Sequence, residues 1–579
     1  MSSTTRGYAA LAGVTAAAVA IGSAELVAVL TGPRSAPLVA VGGLVVDTVP
    51  EPLKQLGVAL FGTYDKIALL VGTGLLLAAS AALLGVLSRR RLAIGLAGIA
   101  AFAALGVAAA VTRAGAGPAD ALPSLLGAGL GAAVLWAFVA GPLELDPWPW
   151  SPPTPPAAED PPPSTASSTS PSTASSTSPS TASSTSPSTA SSTSPSTASS
   201  TSPSVGAPPP TAAGAPPPPS EPGDPASRRR FLTGAGVLVG AAGVAGLGGR
   251  WLAGRRGVSA AREAVVLPAP VVPAPAVPAG ADLSLTQLAP YVTPNLGFYR
   301  IDTALVVPQV DPQTWRLRIH GRVRNEIELS FADLLARPMV ERYVTLACVS
   351  NEVGGDLVGN ARWLGVPIRE LLDEAEPQEG ADQVVGRSVD GWTCGTPTAV
   401  LRDGRDALLA VGMNGEPLPV EHGFPARMVV PGLYGYVSAC KWITELELTS
   451  FADFDAYWVP RGWSAQGPVK TQSRIDTPRP RNRLTAGAVT VAGVAWAQHR
   501  GISRVEVRVD DGPWREAELA PVVSVDTWVQ WSWRWDATPG EHTLTVRAAD
   551  VTGETQTGRR QAVAPDGATG WHTVTVTVR

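Results

Sequence analysis

Val344-Thr-Leu-Ala-Cys348-Val-Ser-Asn351-Glu-Val-Gly354-Gly355 sets one cysteine where a short apolar run gives way to small and polar residues. The run reads as a strand and the small, polar residues after it as a loop. The spacing therefore predicts a sulfur exposed at a strand end, within reach of a metal or substrate. The chain has 3 cysteines, Cys348, Cys394 and Cys440. That is too few for a disulfide scaffold, and no neighbour of Cys348 completes a CxxC pair or a four-cysteine zinc site. By type alone a single cysteine is a small buried hydrophobe. Cys394 and Cys440 read as buried free thiols, with a bridge between them as the alternative.

Six further motifs surround this loop. They are Thr293-Pro-Asn295-Leu-Gly-Phe298-Tyr299-Arg300-Ile-Asp302, Asn360-Ala-Arg362-Trp363-Leu-Gly365, Asp390-Gly-Trp392, Met413-Asn414-Gly-Glu416-Pro-Leu-Pro, Glu421-His422-Gly-Phe424-Pro-Ala-Arg427 and Val430-Pro-Gly-Leu-Tyr434-Gly-Tyr436-Val-Ser438-Ala-Cys440-Lys441-Trp442. In this order they resemble the sulfite-oxidase-type molybdopterin oxidoreductases over residues 291–485. The resemblance implies molybdenum held by molybdopterin, with Cys348 as the metal's protein ligand. It also implies transfer of one oxygen atom to or from a small oxyanion or oxide, and a separate electron carrier such as a cytochrome.

Residue chemistry agrees with the resemblance. A soft thiolate suits a metal already held by two dithiolene sulfurs. A pterin's phosphate and polar edges call for fixed cationic forks and backbone donors. Arg300, Asn351, His422, Arg427, Ser438 and Lys441 are the candidate cofactor contacts, each read as lying in a loop punctuated by Gly or Pro. The alternative for each is a surface charge or a helix cap. Tyr434 and Tyr436 are candidates to steady the transferred oxygen, or they simply pack. Sulfite oxidases follow the cysteine loop with an anion-binding arginine, whereas here Glu352, Val353, Gly354 and Gly355 follow Asn351. Arg300 or Arg362 could substitute, and Glu352 would oppose an anion if it faced the pocket. This departure makes an S- or N-oxide the alternative substrate. A reading of another class is a pterin-binding or structural ectodomain without turnover on a membrane scaffold.

The 579 residues allow three or four domains, and a net charge of −4 leaves no nucleic-acid footprint. Residues 1–141 hold four apolar stretches, 8–30, 67–87, 92–111 and 122–140, each near the ~20 residues of a membrane helix. Glu25 interrupts the first near its end. Residues 37–61, broken by Asp47, Pro50, Glu51, Pro52 and Lys54, read as an interfacial or re-entrant loop. Residues 142–227 form a disordered linker in which the octapeptide Pro-Ser-Thr-Ala-Ser-Ser-Thr-Ser repeats from 163 to 202. It lacks the apolar surface that would offset its ordering entropy.

Ser227-Arg228-Arg229-Arg230-Phe231-Leu232 opens a fifth apolar segment, 228–256, that resembles an internal twin-arginine signal. A plain basic-flanked anchor is the alternative; Ala260-Ala261 is a faint cleavage site, and an uncleaved anchor is favoured. The positive-inside rule places Arg6, Arg89–Arg91 and Arg228–Arg230 on one side. This gives a multi-pass cell-membrane protein with an extracytoplasmic catalytic domain. All 5 histidines fall after residue 291, so the helices offer no bis-histidine haem site. Residues 257–286 read as a Pro/Ala-rich linker and 287–484 as an α+β molybdopterin-binding domain with a mixed sheet. Residues 485–579 alternate like an immunoglobulin-like sandwich, which resembles the family's dimerisation domain at Gly501-Ile-Ser-Arg504 and Trp571-His572. A homodimer is the implied partner.

Overall fold

The computed structural model describes residues 3–50, 53, 60, 65–113, 116–144, 225–255 and 257–579; the octapeptide tether lies outside the described residues. Among these, five helical segments have the length and apolar character to cross a membrane: Arg6–Thr31, Ile67–Ser88, Leu92–Val111, Pro118–Ala140 and Ala226–Leu252. The helices are α1 (Ser3–Thr31), α2 (Pro37–Thr48), α3 (Asp65–Ser88), α4 (Leu92–Val111), α5 (Leu122–Ala140) and α6 (Pro225–Arg255). Helix α1 is central because small residues let its neighbours approach closely. A Cβ on Gly13 would lie 2.0 Å from the Ala81 carbonyl of α3, and one on Gly22 2.3 Å from the Ala242 carbonyl of α6. Glu25, the carboxylate in the first apolar stretch, meets Arg250 of α6 at 3.2 Å. Residues 37–48 form a 12-residue helix rather than the loop read from sequence. The acidic and proline residues that suggest a loop cluster at or just beyond its C-terminus, and at about 18 Å it is too short to span.

The catalytic domain has two sheets. The first joins β1 (Arg316–Gly321), β2 (Ile327–Ser330), β5 (Gln383–Ser388), β6 (Thr393–Pro397) and β10 (Ile443–Thr449) in the order β2-β1-β10-β5-β6. Only the β1–β10 pair is parallel, so the sheet is mixed as expected. The second sheet is antiparallel: β3 (Val340–Ala347), β4 (Val358–Pro367), β7 (Leu408–Met413) and β8 (Glu416–Pro417), with β9 (Arg427–Val429) also on β7. Strand β1 alternates exposed and buried residues, the half-buried pattern its sequence announces. Ile368–Ala375 forms a short amphipathic helix, burying Ile368, Leu371, Leu372 and Ala375. The core between the layers gathers Trp315, Leu317, Leu334, Val384, Met428 and Trp442.

Residues 257–286 are not a free spacer. Val271 N–H donates to Met339 O and Glu341 N–H to Val272 O, adding a parallel bridge to the edge of β3. Proline keeps the segment extended, so Val271 N–H and Val272 O reach the edge of β3 while their side chains stay exposed, and Val265, Leu267 and Val277 pack on the domain core. The C-terminal domain is a two-sheet sandwich with orders β11-β13-β17-β16 and β12-β19-β18-β14-β15. These strands are β11 (Gln472–Thr477), β12 (Arg483–Leu484), β13 (Gly487–Trp496), β14 (Ile502–Val509), β15 (Arg515–Glu516), β16 (Glu518–Leu519), β17 (Val529–Ala537), β18 (Gly540–Asp550) and β19 (His572–Val578). Val491, Val505, Trp531, Leu544 and Val574 fill the space between the sheets.

Candidate active site

Strand β3 ends at Ala347, so Cys348 opens the loop, its N–H donating to Leu357 O at 2.9 Å. Asn351 N–H donates back to Cys348 O, and Leu357 N–H donates to Asn351 Oδ1 at 2.9 Å. Asn351 thus staples the two ends of the loop together. The strand-end position is as expected, but the exposure is not: Cys348 is only 9% exposed. Burial pushes its thiol pKa up, opposed first by hydrogen bonds from Ser350 and then by the charge of Lys441. The thiol is the resting form, and a metal binding there must displace its proton.

A cluster of cationic side chains shares this buried region. Arg427 begins β9, is 5% exposed, and lies 5.1 Å over the Trp363 ring. Its Nη1 donates to His422 O, and no carboxylate pairs with it among the described residues. Burial drives its pKa down to about 10. His422 Nε2 donates to Asn295 O at 3.1 Å, the bond that fixes its tautomer. Burial, reinforced by Arg427, pushes His422 down to about 4, so it is neutral at pH 7. Lys441 Nζ lies 2.7 Å from Asp302 and donates to Glu421 O. Burial lowers its pKa to about 8, with Asp302 opposing. Arg300, more than a third exposed, donates through Nε to the same oxygen, Asp302 Oδ2, at 2.8 Å. Lys441 and Arg300 thus share one carboxylate while Arg427 has none among the described residues, and such a surplus of positive charge is costly to bury without an anion.

The remaining candidates are placed differently. Ser438 Oγ donates to Tyr434 O and Leu433 O and is fully buried, an engaged hydroxyl at the end of a short helix. Tyr436 Oη donates to Ser464 O at 2.7 Å, directing it toward the 464–467 segment. Tyr434 Oη only accepts a long bond from Lys470 N–H at 3.4 Å among the described residues; burial raises its pKa to about 12, with smaller contributions including the Cys348 charge. Arg362 is committed to Glu341 at 3.2 Å, so neither proposed substitute for the missing arginine is unpaired. Glu352 is exposed. Cys394 and Cys440 are free, buried thiols; Cys394 Sγ contacts Met428 Sδ at 4.0 Å and Cys440 Sγ donates to Lys441 O at 3.7 Å.

Two contributors are not announced by the sequence. Tyr299, half-buried, stacks on Phe298 at 5.1 Å and lies within electrostatic reach of both Cys348 and Arg427. The second is the C-terminal domain, which leans on the cysteine loop. Arg474 Nη1 donates to Gly355 O at 2.7 Å, and His572 packs on Gly354, where a Cβ would lie 2.2 Å from the ring. Ile475 N–H donates to His572 Nδ1, while burial and then Arg474 push His572 down to about 4. Gly567 presses on Tyr434 Oη, where a Cβ would be 2.6 Å away. The signal available is the glycines themselves, Gly354-Gly355 and Gly567, which mark close backbone approach.

A family model described as "Oxidoreductase molybdopterin binding domain" matches residues 304–458, and one described as "Bacterial Ig domain" matches residues 472–546. The chain is 32% identical over 287 residues to mitochondrial sulfite oxidase of Mus musculus, covering 42% of this chain and 52% of that protein. It is 35% identical over 164 residues to the uncharacterized oxidoreductase YuiH of Bacillus subtilis (strain 168), covering 28% of this chain and 78% of that one. Among solved structures, the sulfane dehydrogenase SoxCD from Paracoccus pantotrophus matches at 25% identity with a TM-score of 0.45, covering 50% of this chain and 82% of that one. The chain belongs to the sulfite-oxidase-type molybdopterin oxidoreductases. Membership implies a molybdenum–molybdopterin cofactor, although the chain spans only about half the length of the mouse enzyme. The residues present fit that group. A strand-end thiol shares a buried region with a guanidinium that has no counter-ion among the described residues, and with a lysine and an arginine that share one carboxylate.

Proposed function

We propose that this chain is a membrane-anchored molybdenum-cofactor oxidoreductase whose catalytic domain faces away from the cytoplasm. The observation that carries the reading is the buried Cys348 loop beside the surplus of positive charge at Arg427 and Lys441. Cys348 supplies the metal's protein ligand. Arg427 and Lys441 hold the anionic and polar edges of the pterin, and Arg300 adds charge at the more open rim. His422, neutral and anchored to Asn295, presents its second ring nitrogen as an acceptor. Asn351 and Ser438 act indirectly, by closing the cysteine loop and the 433–438 turn. The Tyr434 hydroxyl, held by one long bond, is the group available to steady a substrate oxygen. Tyr436 supports the wall through Ser464. When bound, the cofactor supplies two-electron oxygen-atom exchange.

The substrate is a small oxyanion or oxide, and electrons pass to or from a separate carrier such as a cytochrome. A specific observation favours the S- or N-oxide alternative. Arg300 and Arg362 are both ion-paired, so neither is free to take a second anion. We assign 1–141 to the transmembrane region, 142–227 to the tether, 228–256 to the anchor, 287–471 to catalysis and 472–579 to the sandwich, which starts earlier than the 485 read from sequence because β11 and β12 pair into its sheets. Residues 257–286 are a strap on the catalytic domain, and the sandwich is a homodimer surface. Metal analysis of the purified full chain, followed by anaerobic incubation with sulfite and with sulfoxides and N-oxides, tests the reading. Molybdenum near one per chain and a spectral change with one class support it. Metal-free protein made under adequate cofactor supply contradicts it.

A further inference from the structure

The helical region meets the catalytic domain at a defined junction. Leu305 and Val306 pack on Ala28, Ala36 and Val39, and Gly42 of α2 leaves room for Leu305, whose Cδ1 would be 3.0 Å from a Cβ there. Arg34 Nη1 donates to Val389 O at 2.8 Å, and Tyr457 Oη donates to Asp47 at 2.9 Å. Between these contacts lies a cavity of about 270 Å³. Three guanidiniums, Arg34, Arg113 and Arg461, line it against two carboxylates, Asp47 and Asp390.

Both carboxylates already have partners: Asp47 accepts from Tyr457, and Asp390 Oδ1 accepts from Trp392 N–H. Arg461 is engaged by the carbonyls of Tyr457 and Asp47 and lies over the Tyr457 ring, but Arg113 and Arg34 are less well matched. Arg113 lies over Gly43, its Nη2 makes only a 3.4 Å contact with Ala40 O, and its Nε is buried with no partner among the described residues. Arg34 sits in the turn Pro33–Ser35, where burial lowers its pKa, opposed by Asp390 and reinforced by Arg113. Arg34 follows the end of α1 at Thr31, and Arg113 follows the end of α4 at Val111. Membrane-length helices ending in arginines place those charges at the headgroup layer, and Trp392, which also lines the cavity, is a side chain suited to that layer. Leu44 and Ala109 give the cavity an apolar side toward the helices.

We propose that this cavity binds the phosphate of an anionic phospholipid, fastening the catalytic domain to the helical region. The inference rests on the membrane reading above. Thr303 on its wall follows Asp302, the partner of Lys441, so the lipid site and the cofactor cradle share a segment.

Native mass spectrometry of the full chain in detergent, with phosphatidylglycerol or phosphatidylcholine added, tests it. The expected result is one phosphatidylglycerol per chain, preferred over phosphatidylcholine. Replacing two arginines (Arg34→Gln with Arg113→Gln) should weaken that binding roughly thirtyfold. Asp47→Asn, which keeps an acceptor for Tyr457 but removes a negative charge, should strengthen it and covers the case in which the double variant does not fold. Equal binding of the two lipids, or unchanged binding in both variants, overturns the proposal. Displacement by inorganic phosphate alone would reassign the cavity to a free anion, and displacement by a short-chain quinone to a quinone headgroup; either overturns it. Carbonate extraction of membranes separately tests the membrane reading, since a protein released by carbonate would fail there first.

Discussion

Gly354→Ala tests whether the C-terminal domain sets the position of the cysteine loop. Gly354 has φ +81°, and its missing side chain makes room for His572, whose Cδ2 would lie 2.2 Å and Nε2 2.4 Å from a Cβ. Alanine in the left-handed region costs about 1–2 kcal/mol, and overpacking against a buried ring adds about 1–3 kcal/mol. The sum is roughly 2–5 kcal/mol, or about 2–4 °C of transition midpoint per kcal/mol. In a His572→Ala background the clash vanishes and only the backbone cost remains. The double-mutant cycle should therefore show a coupling of about 1–3 kcal/mol. The assay is calorimetry of the full chain with molybdenum content measured in parallel. Metal should fall in Gly354→Ala and partly recover in the double variant. An equal cost of Gly354→Ala in both backgrounds would refute the buttress.

Arg427→Gln should leave the two sheets intact while lowering pterin per chain, since a charge-assisted bond lost from a buried site costs about 1.5–3 kcal/mol; full pterin occupancy would show that Arg427 only packs on Trp363. Lys441 is charged below about pH 8 before the cofactor binds, and an anionic partner raises its pKa. Cofactor affinity should thus be flat below pH 8 and fall as pH rises above it, and Lys441→Arg should abolish that fall in a pterin-release assay. If residues 228–230 are read as a twin-arginine signal, converting two consecutive arginines to lysine should strand the catalytic domain inside while leaving the positive-inside force unchanged. Normal accessibility to external protease would reduce the segment to a plain anchor.

Much of the architecture is legible because local pattern and tertiary demand agree. The five long helices are uniform apolar stretches, β1 alternates with period two, and the helix Ile368–Ala375 carries an apolar stripe. The family resemblance rests on short motifs, and the structure brings Tyr299, Tyr434 and Lys441 from two of them near Cys348, while Asp390 and Trp392 lie at the junction with the helices. What the sequence hides is direction and company. Ser438 and Tyr436 carry the right chemistry, yet their hydroxyls bond backbone carbonyls, which depends on side-chain direction. Arg362 has the right charge, but strand pairing brings it beside Glu341. Cys348 reads as exposed from its own neighbours. Its burial depends on distant segments, with Tyr299 packed near it and the C-terminal domain pressed on its loop. Helix α2 reads as a loop because the residues that break it lie at its end.

The central claim is that Cys348 is the metal's protein ligand. X-ray absorption at the molybdenum edge, on the full chain and on Cys348→Ser, measures the sulfur neighbours of the metal directly. The account predicts one sulfur fewer per molybdenum in the variant, with pterin retained and activity lost, because a hydroxyl is a poor ligand for this soft site. An unchanged sulfur count in a molybdenum-loaded Cys348→Ser protein would contradict it.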